Sequence, residues 1–403
     1  MRRPFFLAAI VLFIAAAPLG AQDKPPRRPK LAELADTNDA KAYYDRGLEL
    51  LERDPDQAGN AFYWASRLNP GWAEALYARR VAGFMNNEHM IRRYVNGDWG
   101  AISSREAQRL DTLEYRAQMI NPFFIRDLER PFFVSWVRAV VNEDQRRSGG
   151  RPLDVGDEAQ LDYFIEGIIR TGTSFRARAA LLAGQRRFEQ ALDLYERALQ
   201  DSRDKPSIRW ERARILYGMG VYDSALVELQ AAVKEMRDRD TTRMRSWYRS
   251  KELFEHATGM IHEMRGNVDS AKAAYGRALQ EHLSYYPAHM RLGTLALLSG
   301  DTATAVSELD LAVQVAPDEP LVRITYGALL AQIGKPDDAE THLRRAAELE
   351  PYFAMPQYLL GRLAELKRNR EAAIAAYQVY LAKASKRDGR RAEVTQRLAD
   401  LAP

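Results

Sequence analysis

The stretch YPAHMRLGTLALLSGDTATAVSELDLAVQVAP, residues 286–317, decides the fold of this 403-residue chain. Gly293 is followed after twelve positions by Ala305, and then by Ala312 and Pro317. The spacing returns with a constant step of 34, which gives glycines at Gly259, Gly293, Gly327 and Gly361 and alanines at Ala271, Ala305, Ala339 and Ala373. A repeat of this length predicts one pair of helices in each unit.

The small residues mark the points where the two helices of a unit cross. Helices approach closely only where side chains are small, so we expect Gly293 to face Ala305 and Ala312. Leu309 shares their helical face and fills the gap between them. The turn inside each hairpin is expected at Gly266-Asn267, Gly300-Asp301 and Gly334-Lys335-Pro336, because glycine adopts the left-handed conformation that ends a helix.

The period and the order of small, bulky and proline positions resemble the tetratricopeptide repeat. This resemblance implies an all-α superhelix of stacked hairpins, an α-solenoid. Weaker copies precede the strong ones, since Ala191 and Ala225 are separated by the same step. The step from Ala225 to Ala271 is 46, which predicts a lengthened helix or loop. A lone early unit begins near Ala40, so we count seven repeats, four of them strong.

The start of the chain, from Met1 to Ala21, has the features of a bacterial secretory signal peptide. Arg2 and Arg3 precede an apolar run from Phe5 to Ala17, and small residues follow up to Ala21. The run is short for a membrane span, so we expect cleavage near Ala21 rather than an anchor. The absence of cysteine fits an exported protein whose large repeat core needs no disulfides.

Charge does not favour a nucleic-acid partner. Without Arg2 and Arg3 the chain has 57 basic and 55 acidic residues, a net charge of +2. The basic residues that concentrate between Lys24 and Lys30 are interspersed with three prolines, which predicts an extended, solvated linker. A weak electrostatic contact of this linker with the envelope is the alternative.

No motif in the chain predicts chemistry. The six histidines have no metal-binding spacing, and no phosphate loop or nucleophile motif is present, so we expect no cofactor and no enzyme activity. The repeat ladder breaks between 87 and 171, where aromatic residues cluster: Phe123, Phe124, Phe132, Phe133, Trp136, Tyr163 and Phe164. Three interpretations stay open: a distorted helical insert or degenerate repeats whose aromatics are core, a docking surface, or an active site that uses Glu143, Asp144, Asp157 or Glu158.

The resemblance also implies a concave groove that the first helix of each hairpin lines. In the four strong units the fifth positions are His256, Met290, Ile324 and Tyr358. Together with neighbouring positions, the candidate partner-binding residues are Trp210, Arg214, Tyr217, Met260, Met290, Leu297, Ile324, Tyr358 and Arg362. The lysine and asparagine clamp of chaperone-binding members is absent here. The apolar lining suits an amphipathic helix or an extended segment of a protein partner. Residues around Val394 and Leu398 cap the stack or, as the alternative, fill the groove.

From these observations we predict a domain organisation and a function for the chain. We predict a signal peptide (1–21), a basic proline-rich linker (22–39), an N-terminal repeat unit (40–86), the aromatic segment (87–171), an array of about six repeats (172–385) and a capping helix (386–403). The predicted function is an exported scaffold for protein–protein interaction in the periplasm or cell envelope. The alternatives are an envelope enzyme with its site in 87–171, or a structural subunit of an envelope complex.

Overall fold

A computed structural model describes residues 25–33, 35–86, 104–126, 128, 174–202, 204–240 and 250–402, and isolated positions between 131 and 170. All regular elements in this part of the chain are helices, as the sequence predicts. None of the described helices has the length and apolarity required to cross a membrane. The predicted signal peptide lies outside the described residues.

The described helices pack as successive hairpins. They are α1 (Ala40–Leu50) with α2 (Pro55–Leu68), α3 (Ala73–Met85) with α4 (Ser104–Ile120), α5 (Phe175–Gly184) with α6 (Phe188–Asp201), α7 (Lys205–Gly218) with α8 (Tyr222–Asp240), α9 (Lys251–Met264) with α10 (Val268–Glu281), α11 (Tyr286–Leu298) with α12 (Thr302–Val315), α13 (Pro320–Gln332) with α14 (Pro336–Leu349), and α15 (Met355–Leu366) with α16 (Arg370–Lys383). A last helix, α17 (Arg390–Asp400), packs on α16.

The small residues lie where the helices cross, which confirms the predicted register. A Cβ atom added at Gly293 would lie 2.8 Å from Cγ of Leu309 and 3.3 Å from the carbonyl oxygen of Ala305. Ala305, Leu309 and Ala312 form the buried face of α12. The crossing is therefore too close for any side chain at Gly293.

The predicted turn conformation is also confirmed. Gly266, Gly300 and Gly334 have φ angles of 76° to 77°, in the left-handed region. Arg186 and Arg368 occupy the corresponding turns of the α5–α6 and α15–α16 hairpins, with φ angles of 59° and 58°. A non-glycine residue is strained in this region, so the hairpin geometry overrides the local preference of these two arginines.

The structure describes part of the two regions in which the sequence repeat is irregular, the long step between Ala225 and Ala271 and the segment 87–171. The helix α8 has 19 residues, whereas α10, α12, α14 and α16 have 14 each, so part of the long step between Ala225 and Ala271 is a longer helix. Within the segment 87–171, α4 packs against α3 as the second helix of a hairpin. This pairing shows how a repeat-like hairpin forms without the ladder of small residues.

The basic, proline-rich stretch is not a solvated linker where the structure describes it. The indole Nε1 of Trp64 donates a hydrogen bond to the carbonyl of Pro26 (3.0 Å), and Pro29 is buried. The Arg28 guanidinium lies 4.3 Å from the centre of the Trp64 ring. Cation–π stacking and the indole hydrogen bond hold the stretch against α2 and correct the expectation from composition.

Candidate functional site

The central part of the predicted groove lies on α11 and α13. Met290 and Leu297 on α11 are partly exposed, and so is Ile324 on α13. Met290 and Leu297 pack against a core cluster that includes Leu309, Leu329 and Leu343. Leu298, next to Leu297, is 78% exposed. Met290, Leu297 and Ile324 are therefore apolar side chains that solvent reaches at predicted inward positions near the centre of the array.

Trp210 does not belong to that surface. Its side chain is fully buried, and its ring lies 4.7 Å from that of Phe254 in the core between α7 and α9. Trp210 precedes His256 by the long step of 46 residues and so takes the fifth position of its unit. Its large indole faces the next hairpin and fills the space between two repeats. The sequence assignment of Trp210 to a partner-binding groove is therefore corrected.

Two further groove candidates, Tyr217 and Arg214, are covered by the chain itself. The ring of Phe123 stacks on the ring of Tyr217, with centroids 4.0 Å apart and planes 9° apart. Arg214 donates a hydrogen bond to the carbonyl of Phe124 (3.4 Å). Phe123 is 8% exposed and Phe124 is 1% exposed. The aromatic pair thus connects two cores, because Phe123 packs with α7 and α9 whereas Phe124 packs with α1–α4.

The end of α4 covers the next part of the groove. Met119 packs against the cluster to which Met260 on α9 and Leu292 on α11 belong. His256, the inward residue one turn before Met260, is 1% exposed. Burial, together with the nearby Arg291, lowers the pKa of His256 to about 3, so its ring is neutral. This part of the lining is an internal contact.

At the other end of the array, the last helix engages the remaining candidates. The Tyr358 hydroxyl donates to the Glu393 carboxylate (3.2 Å), and Arg362 bonds both the Tyr358 hydroxyl (3.2 Å) and Glu393 (3.4 Å). Val394 of the same helix is fully buried against α16. Helix α17 therefore closes the last hairpin and holds Tyr358 through its side chains.

Ion pairs also join the N-terminal part of the chain to the repeats that follow it. We call residues 25–126 the N-terminal unit, α5–α17 the array, and the contacts between them the junction. Arg116 on α4 pairs with Glu319 (2.7 Å), and Arg67 on α2 pairs with Glu350 (2.6 Å). Burial raises the pKa of Glu350 to about 7, against the opposing effect of Arg67. The ion pairs fix the N-terminal unit on the turns that precede α13 and α15.

Aromatic and backbone contacts complete the junction near the C-terminus. The rings of Trp64 and Tyr352 meet edge to face with centroids 4.8 Å apart. Asn38 donates to the carbonyl of Ala382 (2.8 Å), and the Asp36 carboxylate accepts from the backbone of Lys386 (2.5 Å). The N-terminal unit thus contacts the array from α7 to the loop before α17.

The aromatic segment is described only in part. Phe123 and Phe124 are buried, as the core interpretation expects, whereas Tyr163 is 70% exposed. Phe132, Phe133, Trp136, Phe164 and the candidate carboxylates Glu143, Asp144, Asp157 and Glu158 lie outside the described residues. Within the described ranges, no group of three or more His, Cys, Asp or Glu side chains is arranged to hold a metal ion.

Family models agree with the helical geometry. One model described as a tetratricopeptide repeat matches residues 182–246, and a second with the same description matches 257–320 and 327–388. The chain is a tetratricopeptide repeat protein. Tetratricopeptide arrays present extended concave surfaces and serve as scaffolds for protein interaction. A comparison with curated proteins finds no match.

Several solved tetratricopeptide structures are similar to this one. YrrB, titled a TPR protein with an unusual peptide-binding site, is 19% identical, with 51% of this chain and 98% of that chain covered and a TM-score of 0.39. The C-terminal part of a repeat protein from Cytophaga hutchinsonii is 16% identical over 58% and 93%, with a TM-score of 0.44. A thermophilic TPR protein of Thermus thermophilus is 21% identical over 49% and 98%, with a TM-score of 0.35. Identities this low do not carry a ligand from one protein to another.

Proposed function

We propose that this tetratricopeptide protein is an exported bacterial scaffold that binds a protein partner in the periplasm or cell envelope. The partner segment is an amphipathic helix or an extended peptide, and it docks on the inward face of α11 and α13. The observation that supports this site is the partly exposed apolar set Met290, Leu297 and Ile324. The flanking parts of the same face are engaged by Phe123, Met119 and Glu393.

Export rests on the sequence from Met1 to Ala21. A charged start, an apolar core and small residues before Gln22 are the features that signal peptidases recognise. We expect the mature chain to begin at or near Gln22 and to fractionate with the periplasm. N-terminal sequencing of the protein from fractionated cells measures both properties. A chain that retains Met1, or that stays in the cytoplasm, contradicts export and leaves the binding surface as a separate question.

The binding surface is tested by a triple variant, Met290→Ala with Leu297→Ala and Ile324→Ala. Truncation of apolar anchors at the centre of an interface costs about 1–2 kcal/mol each, so the triple variant should lose partner capture from envelope extract while its helical content is kept. The matched control truncates three apolar residues of the second helices that are more exposed than the tested set, Leu311, Val315 and Val379 (37%, 38% and 38% exposed).

Two outcomes would overturn the assignment. Capture that survives the triple change but is lost in the control variant moves the interface to the outer face, as a structural subunit requires. If capture depends instead on the segment around Phe123 and Phe124, the partner binds to the docking surface that was the alternative for the aromatic segment 87–171. Replacement of Tyr358 by alanine is expected to weaken capture less than the triple change, because its hydroxyl is already bonded to Glu393.

A further inference from the structure

A small cavity with charged side chains in its lining lies inside the junction. It has a volume of about 40 Å³ and is enclosed by α2, α3 and α4 on one side and by the turns before α13 and α15 on the other. Its lining carries three arginines and three carboxylates: Arg67, Arg79, Arg116, Asp318, Glu319 and Glu350. These six charged side chains belong neither to the apolar core of the repeats nor to the apolar inward face.

Each carboxylate of the cavity already has a cationic partner. Glu350 pairs with Arg67 and Glu319 pairs with Arg116. The third carboxylate, Asp318, points to Arg345 outside the cavity, with an N–O distance of 2.9 Å. These three pairs account for all the carboxylates of the lining, so none of them is left to pair with its third arginine, Arg79.

Arg79 is the one arginine of the lining without a carboxylate partner among the described residues. Its side chain is 8% exposed, none of the ion pairs between described residues includes it, and no carboxylate is among the groups that shift its pKa. Its Nη1 donates to the hydroxyl of Ser66 (3.3 Å), and its guanidinium lies 4.8 Å from the centre of the Tyr63 ring. The Ser66 hydroxyl proton goes to the carbonyl of Tyr63 (2.8 Å), so Ser66 accepts from Arg79 and fixes its direction.

A buried cation without a counter-charge is strongly disfavoured, and arginine cannot relieve this by losing its proton at neutral pH. Burial lowers the pKa of Arg79 to about 10; Tyr63 opposes this shift, whereas repulsion from Arg109, Arg116 and Arg67 adds to it. The guanidinium therefore stays charged near neutrality. Because Arg67, Arg116 and Arg345 neutralise the three carboxylates, the charge of Arg79 is the one left unneutralised in the lining, and it favours an anion beside it.

We infer that this cavity binds one small inorganic anion, of a size between chloride and phosphate, through Arg79 and the remaining N–H groups of Arg67 and Arg116. The volume is larger than the roughly 15 Å³ that a single water molecule requires, and it is too small for a nucleotide or a peptide. Because α2, α3 and α4 supply the arginines and the array supplies the opposite wall, a bound anion stabilises the junction.

Thermal unfolding of the full mature chain tests the site at constant ionic strength. Gluconate, which is too large for the cavity, is exchanged stepwise for chloride, sulfate or phosphate. A ligand that binds only the folded state raises the melting temperature in proportion to the logarithm of its concentration above Kd. We expect a saturable binding isotherm with one anion per chain in calorimetry and a rise in melting temperature with at least one of the three anions.

The variant Arg79→Gln should abolish the dependence on the small anion, whatever its effect on the melting temperature in gluconate. The matched control is Arg80→Gln on the same helix, because Arg80 faces Glu114 (3.0 Å) rather than the cavity, and this variant should keep the dependence. If Arg79→Gln does not fold, Arg79→Lys keeps the charge but loses the planar fork, and its affinity should fall about tenfold. Equal anion dependence in wild type and Arg79 variants, or no difference between gluconate and all three small anions, overturns the site.

Discussion

Two glycines of one repeat should respond in opposite ways to the same substitution by alanine. Gly259 lies on α9, where an added Cβ would be 2.5 Å from Cε1 of Tyr275. Tyr275 is fully buried, and its hydroxyl donates to Glu263 (2.7 Å), so the ring is held in place. Gly276 lies on α10 of the same hairpin and has no atom within 4 Å of an added Cβ.

The expected magnitudes follow from these distances. Alanine is favoured over glycine inside a helix by about 1 kcal/mol, so Gly276→Ala should stabilise the protein by roughly that amount. The same gain exists at Gly259, but an added methyl group in a close-packed crossing costs about 1–3 kcal/mol. The free energy of unfolding of Gly259→Ala should therefore be about 1–3 kcal/mol below that of Gly276→Ala.

Urea unfolding followed by circular dichroism measures this difference. A repeat array does not always unfold in one step, so the comparison uses the transition that contains α9 and α10 in both variants. Equal stability of the two variants would refute the reasoning, since the glycine ladder would then not mark the helix crossings. A destabilised Gly276→Ala would contradict it in the same way.

Three more predictions concern single contacts. Arg67→Ala leaves Glu350 buried without its partner, and because the pKa of Glu350 is already about 7 the carboxyl can take up a proton. The N-terminal unit should therefore lose about 1–3 kcal/mol in urea unfolding, and adding Glu350→Gln should recover most of it. Burial opposes the charged ring of His289, but hydrogen bonds to the Glu308 carboxylate (2.7 Å) and the Leu283 carbonyl (2.9 Å) raise its pKa above 6.5. The charged ring therefore stabilises the fold fully below pH 6.5, and this contribution is lost as pH rises through the raised pKa. The melting temperatures of wild type and His289→Asn should converge over that pH range. Ala339→Leu overpacks the crossing at Gly327 and should cost about 1–3 kcal/mol, measured by the same unfolding assay, whereas an unchanged midpoint would contradict the assigned register.

The repeat architecture is predictable from sequence because it depends on contacts between close neighbours along the chain. Gly293 and Leu309 belong to the two helices of one hairpin, and their contact recurs between Gly327 and Leu343. A periodic sequence therefore carries the register of every hairpin. The turns at Arg186 and Arg368 show the limit of this signal, because both residues adopt a left-handed conformation at a position without a glycine from which it could be predicted.

The junction could not be predicted in this way. Arg67 and Glu350 are separated by 283 positions, and charged residues make up 28% of the chain, so periodicity offers no criterion for choosing their pairing. Trp210 shows the same limit at close range. Its position in the repeat is inward in the family pattern, but the volume of an indole is accommodated only between hairpins, where it packs on Phe254.

The internal contacts of the inward face determine what a partner must do to bind there. Phe123 stacks on Tyr217, Met119 packs against the same cluster as Met260, and Glu393 accepts a hydrogen bond from Tyr358, so both flanks of that face are already engaged. A ligand that needs either flank must first displace these groups, and its apparent affinity falls by the fraction of molecules in which the flank is open. A segment that fits the apolar centre on α11 and α13 binds without this cost. The structure therefore favours a short apolar anchor over a long peptide that follows the whole groove.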